Sequence, residues 1–378
     1  MATGLTRKLL VDIHSHVYLP RYASLLRQRT TVPLIKTLAT SNEERLVILE
    51  NEPRTGRPVG PQYWDRDEKL KFMDQHGIDI TVVSTANPWL DFLSPLDAIK
   101  LSKELNDDLE EYCSTSPTVL NLAQTMATSS SCKSLRRLYG FGLLPLVAGI
   151  SLTDLLASVA QLRALPHLRG IIMGTQGIGK GLDDPALEPL WGAIADAGLV
   201  IFLHPHYGVD GKAFRGDIDN GHVLPLALGF PFETTTAATR LILAGVLDRH
   251  PSLKLLLAHS GGALPALSSR LASCIAHDPI VAGRLKHDAR YYLGKLFLDA
   301  VSYGPEEMGF ASDVKRRHGA KQMLFGTDHP FFPPLTSQEK WTSVTENLQA
   351  IEEVQGWSED DKDGVRGSNA LRIFGLGS

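Results

Sequence analysis

The pattern that most restricts the fold is a rhythm of short, almost continuously apolar runs separated by stretches with helical periodicity. Eight such runs occur, at 9–14 (LLVDIH), 79–85 (DITVVST), 141–147 (FGLLPLV), 169–174 (RGIIMG), 199–204 (LVIFLH), 253–259 (LKLLLAH), 296–301 (LFLDAV) and 321–327 (KQMLFGT). A strand that is apolar along its length is covered on both faces, as in a parallel sheet flanked by helices. Between the runs, Leu187, Leu190, Trp191 and Ile194 recur at i, i+3, i+4 and i+7 before Gly198. Leu155, Leu156, Val159 and Leu162 form a second stripe, and Leu70 and Met73 mark a third helix ended by Gly77. Strands that alternate with helices are βαβ units, so the fold class is α/β. Eight units predict a closed (β/α)8 TIM barrel. The alternative, an open doubly wound sheet, calls for a glycine-rich phosphate loop after its first strand, and here that strand runs into HSH.

With 378 residues the chain is longer than a minimal barrel of about 250. We expect one barrel over 1–378 with two insertions. Residues 17–65 hold Pro20, Pro33, Pro53, Pro58 and Pro61 and the run RLVILE at 45–50, and are expected to cap the barrel mouth. Residues 114–134 are Ser/Thr-rich with little periodicity, as in an exposed loop. Composition narrows the function. A content of 43% hydrophobic and 21% charged residues supports a large core. Lys plus Arg is 38 against 42 for Asp plus Glu, a net charge of -4, which does not fit a nucleic-acid partner. Cys113, Cys132 and Cys274 are odd in number and lack CxxC spacing, so neither a disulfide framework nor a cysteine zinc site is expected. No run approaches the ~20 apolar residues of a membrane span, and the start shows no signal-peptide pattern. A cytoplasmic protein is expected.

The chemistry sits at the strand ends. Residues two apart share a face of a strand, so His14 and His16 point the same way at the end of the first strand. His204 closes the fifth strand, His259 the sixth, and Asp328 follows the eighth. Barrel active sites occupy this C-terminal end, and imidazole with carboxylate is the ligand set of zinc or a similar divalent ion. Taken singly, each has a structural explanation: a surface HxH pair, core histidines, a turn at GTDHP. Five metal-capable groups at one end of one barrel point to a metal site. His76, His167, His250 and His318 fall near helix ends or between elements and read as structural.

VDIHSH, FLHPHYG, LLAHSGG and FGTDHPFF resemble the aminocarboxymuconate-semialdehyde decarboxylase branch of the amidohydrolase superfamily, from about residue 9 to the C-terminus. The resemblance implies that His14, His16, His204 and Asp328 bind the metal and that His259 is catalytic or contacts substrate. Hydrolytic relatives carry a bridging lysine at the end of the fourth strand. This chain has RGIIMGTQG there, so a mononuclear Zn2+, or another divalent metal such as Mn2+, is implied. Within the branch, ANPWLDFL, GTQGIGKGLDDP, HPHYG, GHVLPLALGFPFETT and GTDHPFFPP most resemble the isoorotate (uracil-5-carboxylate) decarboxylases of thymidine salvage. That likeness implies a homodimer in which Asn87, Phe230, Arg270 and Phe331 contact the pyrimidine, with Arg270 supplied across the interface. Their structural alternatives are core aromatics, a turn cap and a solvated helix face.

The implied reaction is non-oxidative loss of CO2 from a cyclic carboxylate. The difficulty is the carbanion on an sp2 carbon, and protonating that carbon first avoids it. The metal is expected to hold a carboxylate oxygen and the adjacent ring oxygen. Asp328 would deliver the proton, with His259 orienting it or sharing the proton. Two rivals remain. One is a hydrolase of a lactone, amide or ester in which Asp328 activates a water. The other is a catalytically silent scaffold, and no ligand has been lost as such a protein would be expected to show.

Overall fold

Apolar strands covered on both faces need an inner and an outer core, and both are present. The computed structural model describes residues 8–39, 41–50, 56–119, 135–208, 220–314, 319–334, 336 and 340–377. Among them lie eleven strands. In chain order these are β1 (Val11–Val17), β2 (Leu34–Thr37), β3 (Glu44–Val47), β4 (Arg57–Val59), β5 (Ile80–Thr85) and β6 (Leu138–Gly142). They continue with β7 (Leu168–Met173), β8 (Val200–Leu203), β9 (Lys254–Leu257), β10 (Phe297–Asp299) and β11 (Met323–Leu324). Eight of them form a parallel sheet in the order β1-β5-β6-β7-β8-β9-β10-β11. The sheet closes on itself: Ile13 N–H donates to the Phe325 carbonyl (3.0 Å), Asp328 N–H to that of His14 (2.7 Å) and His16 N–H to that of His329 (2.7 Å). This is the (β/α)8 TIM barrel.

Alternation along each strand separates the cores. Val200, Phe202, Ile172, Leu256 and Phe141 belong to the inner cluster. Ile201, Leu203, Ile171 and Leu257 join Leu155, Leu162, Trp191 and Ile194 of the surrounding helices in the outer one. The helix Glu188–Ala197 buries Leu190, Trp191 and Ile194 and stops at left-handed Gly198 (φ 68°). The helix Leu152–Ala164 buries Leu155, Val159 and Leu162 and is capped by the Ser151 side chain. At the N-terminal end of the barrel, the Lys254 ammonium donates to the Ile373 carbonyl (3.2 Å) of the last helix, Asn369–Phe374. Phe374 packs 5.5 Å from Phe141, plugging that end. No helix of the described residues is long and apolar enough to cross a membrane.

Three expectations are revised. The strand placed at 141–147 is Leu138–Gly142, because Leu138–Phe141 pair with Thr81–Ser84. Beyond it Leu143 N–H turns to Asn106 Oδ1 (2.7 Å), and Pro145 has no N–H for a ladder. The apolar run continues only because Leu143, Leu144 and Val147 line a buried loop. The loop expected at 114–134 starts too early: the helix Pro95–Ser114 includes its first residue, and Val119 N–H donates to the Leu135 carbonyl (2.8 Å). Residues 120–134, with Cys132, lie outside the described residues, as do Pro53 and His318. In the helix Leu264–His277, Leu267 is 39% exposed and does not join the apolar stripe. The insertion after β1 comprises the helix Pro20–Gln28, the antiparallel sheet β2-β3-β4 and a helical turn at Pro61–Trp64.

The seam between β1 and β11 depends on Asp12, a fully buried carboxylate. It accepts from His14 N–H (3.1 Å), Thr327 N–H (3.1 Å) and the Thr327 hydroxyl (2.8 Å). Burial pushes its carboxyl above the ordinary range, against these donors. Asp12→Ala is expected to cost roughly 2–4 kcal/mol, since each buried donor left without an acceptor costs about 1–3 kcal/mol. The urea midpoint measures this, and an unchanged midpoint would show that the seam is held by other means.

Candidate metal centre and active site

The first strand delivers two histidines to one point. His14 and His16 are fully buried, with their Nε2 atoms 3.0 Å apart. Asp328 Oδ1 lies 3.3 Å from His14 Nε2 and 3.2 Å from His16 Nε2. The His204 ring completes the group, with centroids 5.2 Å from His14 and 5.0 Å from His16. His259 approaches from the other side, its Nε2 3.9 Å from Asp328 Oδ2. Ligand atoms of His14, His204, His259 and Asp328 all lie within 4.8 Å of one another, close enough together that the group could hold a metal ion. All five groups singled out by sequence therefore meet at the barrel mouth.

The outer nitrogen of each imidazole decides what the inner one offers. His204 Nδ1 lies 2.8 Å from the Pro205 carbonyl, which only accepts, so Nδ1 carries the proton and Nε2 presents a lone pair. His14 Nδ1 lies 2.6 Å from the Asp299 carboxylate, with the same result. His16 Nδ1 meets Ser84 Oγ at 3.0 Å, and that hydroxyl can donate onward to the Ser15 carbonyl (3.5 Å). Such outer-shell partners fix the tautomer of metal-binding histidines. Three inward lone pairs beside a carboxylate make a donor set that fits a divalent cation. His259 differs: its Nδ1 is buried without a partner among the described residues, and its side chain is 18% exposed.

Charge follows from this crowding. Burial opposes a charge on His14, but the Asp328 and Asp299 carboxylates outweigh it and push the imidazole up to about 10. Burial pushes His16 down to about 4 and, with the neighbouring His16 and His14, holds His204 well below the usual range. Burial also works against the Asp328 carboxylate, yet His14, His16 and His259 keep it well below the ordinary value. In the chain alone, a proton on His14 therefore takes the place of the cation.

Local backbone aims these groups. Asp328 (φ 57°) and His259 (φ 53°) both adopt the left-handed region, which costs about 1–3 kcal/mol for such residues. Gly326 is required by close approach, since a Cβ there would sit 2.7 Å from His14 Cβ. Sequence reasoning missed the residues that hold this geometry. Asp299 binds His14 and also accepts from His259 N–H (3.0 Å) and Ser260 N–H (2.8 Å). The Glu233 carboxylate accepts from three successive N–H groups, His206 (2.8 Å), Tyr207 (3.2 Å) and Gly208, fixing the loop after His204. A lone carboxylate inside an apolar run, as in LFLDAV or LLVDIH, was the available signal, because a buried charge needs partners. Lys69, 1% exposed, donates to Ser15 Oγ and the His16 carbonyl; burial pushes its ammonium down, with Asp12 opposing.

The proposed substrate contacts are less uniform. Phe331 lies 5.3 Å from the His16 ring, and Phe230 6.4 Å from His204. Asn87 is 2% exposed and its Nδ2 donates to the His206 carbonyl (2.5 Å). Arg57 of β4, which sequence reasoning did not single out, places its guanidinium 4.9 Å from the Phe331 ring centre. Arg270 is exposed on the helix Leu264–His277, beside exposed Leu267 one turn earlier.

The profile of the amidohydrolase family matches residues 133–376. The chain belongs to the amidohydrolase family. It is 28% identical to the 2-amino-3-carboxymuconate-6-semialdehyde decarboxylase of Dictyostelium discoideum, over 98% of this chain and 92% of that protein. It is 41% identical to the IDCase of Metarhizium anisopliae, whose apo crystal structure superposes with a TM-score of 0.86 and covers 99% of this chain and 98% of that one. A 5-carboxyvanillate decarboxylase from Novosphingobium aromaticivorans shares the fold at 18% identity, with a TM-score of 0.68 over 99% of this chain and 97% of that one. That structure contains manganese and 4-hydroxy-3-methoxy-5-nitrobenzoic acid. These relatives are decarboxylases, and so is this member of the family.

The proton on His14 gives a test of the site. Its folded value, about 10, stands above the ordinary 6.5. The stability it confers on metal-free protein is full below 6.5, declines above it and is lost as pH passes about 10. Adding Zn2+ near pH 8 should displace this proton. Calorimetry in buffers of different ionisation enthalpy should show close to one proton released, and none released would contradict the charge pattern.

Proposed function

We propose that this decarboxylase acts on uracil-5-carboxylate (isoorotate), giving uracil and CO2 with one Zn2+ or Mn2+ bound by His14, His16, His204 and Asp328. The observation that carries the metal assignment is the convergence of three imidazoles, each with Nδ1 already engaged, on the Asp328 carboxylate. His259 lacks such an outer partner among the described residues, which suits proton transfer better than ligation. The substrate assignment draws support from the 41% identity to the Metarhizium IDCase along nearly the whole chain.

When bound, the metal supplies positive charge that holds and polarises the carboxylate and its neighbouring ring oxygen. The protein does the rest. Phe331 and Phe230 flank a planar ring. Asn87 has Nδ2 engaged by the His206 carbonyl, leaving Oδ1 to accept a ring N–H. Arg57 and Arg270 supply cations for the carboxylate, Arg270 from the partner subunit of a homodimer. Asp328 divides its oxygens: Oδ1 faces His14 and His16, and Oδ2 faces His259. Oδ2 takes up a proton when the anionic substrate crowds it and passes that proton to the ring carbon bearing the carboxylate. The C–C bond then breaks, its electron pair returns to the ring and CO2 leaves. His259 restores the proton from solvent. The small sheet β2-β3-β4 acts as a cap that presents Arg57, and the expected setting is pyrimidine salvage in the cytoplasm.

Two experiments test this reading. Purified metal-loaded protein should release CO2 from uracil-5-carboxylate in preference to salicylate-type acids, and leave a panel of lactones, amides and esters intact. Hydrolysis without CO2 release would assign it to the hydrolases instead. His14→Ala, His204→Ala and Asp328→Ala should each lose metal by elemental analysis and activity by more than about 100-fold, because each removes one of four ligands.

The dimer has its own test. Arg270→Ala and Asp328→Ala chains, each inactive, should regain activity when mixed and exchanged, since a hybrid dimer contains one intact site. Hybrids verified by mass that stay inactive would show that Arg270 acts within its own chain or not at all.

A further inference from the structure

Among the largest almost completely buried side chains of the described residues, the one that carries a charged group is Lys69, and the proposed reaction leaves it unused. It lies on the helix Arg66–His76, whose other lysine, Lys71, is exposed, yet Lys69 is 1% exposed. Its Nζ is 2.8 Å from Ser15 Oγ, 3.1 Å from the His16 carbonyl and 2.5 Å from His329 Nδ1. An ammonium has three N–H donors, and these three acceptors match them. Two acceptors belong to the segment that carries His14 and His16. The third belongs to the residue after Asp328.

We infer that Lys69 is a positioning residue, which sets the separation between the His14/His16 pair and Asp328 by tying β1 to the loop after β11. The inference rests on the ligand assignment proposed above. Three observations support it. The ladder here is short: β11 is two residues long, and beyond it the seam is one isolated bridge, Ser15 to His329, with single backbone bonds from Asp328 N–H to the His14 carbonyl and from His16 N–H to the His329 carbonyl. The left-handed conformation of Asp328 interrupts the regular ladder between those two bonds, and the Lys69 side chain spans the same interruption. The His329 ring, which receives the Lys69 bond, is fixed between Phe72 (centroids 3.7 Å) and Trp341 (4.5 Å). A shift of this ring moves Asp328, its neighbour in the chain. An apolar side chain would fill the same space without the desolvation of an ammonium, so filling space does not account for lysine here.

The test compares parent and Lys69→Met, which keeps an unbranched chain and removes the donors. Both are stripped of metal, and Zn2+ affinity is measured by competition with a chromophoric chelator. Steady-state kinetics with uracil-5-carboxylate follow on Zn2+-loaded protein. Lys69→Met should bind Zn2+ about 10–100-fold more weakly, the usual effect of losing an outer-shell partner, and should lose kcat with little change in KM. Unchanged Zn2+ affinity and kcat, with only a lower melting temperature, would make Lys69 a stabilising residue and overturn the inference. A parent chain that takes up no Zn2+ overturns the ligand assignment, and the inference with it. Should Lys69→Met fail to fold, Ser15→Ala decides. It removes one of the three acceptors, and Zn2+ affinity should fall by less than in Lys69→Met; an affinity equal to that of the parent overturns the inference.

Discussion

Bare imidazole nitrogens and a carboxylate cannot face one another at about 3 Å inside a protein unless positive charge lies among them. His14, His16 and Asp328 form such a group, with the His204 ring packed against them. The raised His14 and the lowered His16 and Asp328 follow from this crowding, in which burial works against each charge and the carboxylates and imidazoles work on one another. Most of the unusual features nearby serve to keep this arrangement from relaxing.

The restraints come from elements far apart in the chain. Asp299 at the end of β10 orients His14 and anchors the turn at His259. Glu233, one turn after Phe230, gathers the N–H groups of the loop after His204. Asp12 closes the barrel seam next to Thr327. Two left-handed residues, His259 and Asp328, persist because these bonds over-determine their conformation. A closed parallel barrel suits this task, since every strand ends at the same rim and each rim residue can be braced by its neighbours.

The Asp328 carboxylate is shared between two sets of partners. Its Oδ1 is committed to the histidine pair, and its Oδ2 looks toward His259. In the proposed reaction one oxygen would serve binding and the other a proton, which is the separation that protonation before C–C cleavage needs. The rings of Phe331, against His16, and Phe230, against His204, suit the flat substrate proposed, and Arg57 over Phe331 suits an anionic one.

How much of this the amino-acid sequence determines follows from the range of the interactions. The barrel was legible because β-branched runs and i, i+3, i+4 stripes, such as that of Leu190, Trp191 and Ile194, are local patterns imposed by burial on both faces. The five site residues were legible because strand ends in a barrel share one rim, so HSH, the terminal His204 and His259, and the Asp of GTDHP converge whatever the helices between them do. The end of β6 was not, since Leu143 and Leu144 are as apolar as the strand and only their hydrogen-bond partners distinguish them. Nor were Lys69 and Arg57: in RDEKLKFMDQH and TGRPVG nothing separates a buried or site-facing cation from a solvated one. Their roles arise from partners at His329 and Phe331, more than 250 residues away. Chain closure alone brings those partners into contact. Sequence periodicity therefore determined the fold and the rim that carries the chemistry, while the restraints that fix distances at that rim were decided by tertiary structure.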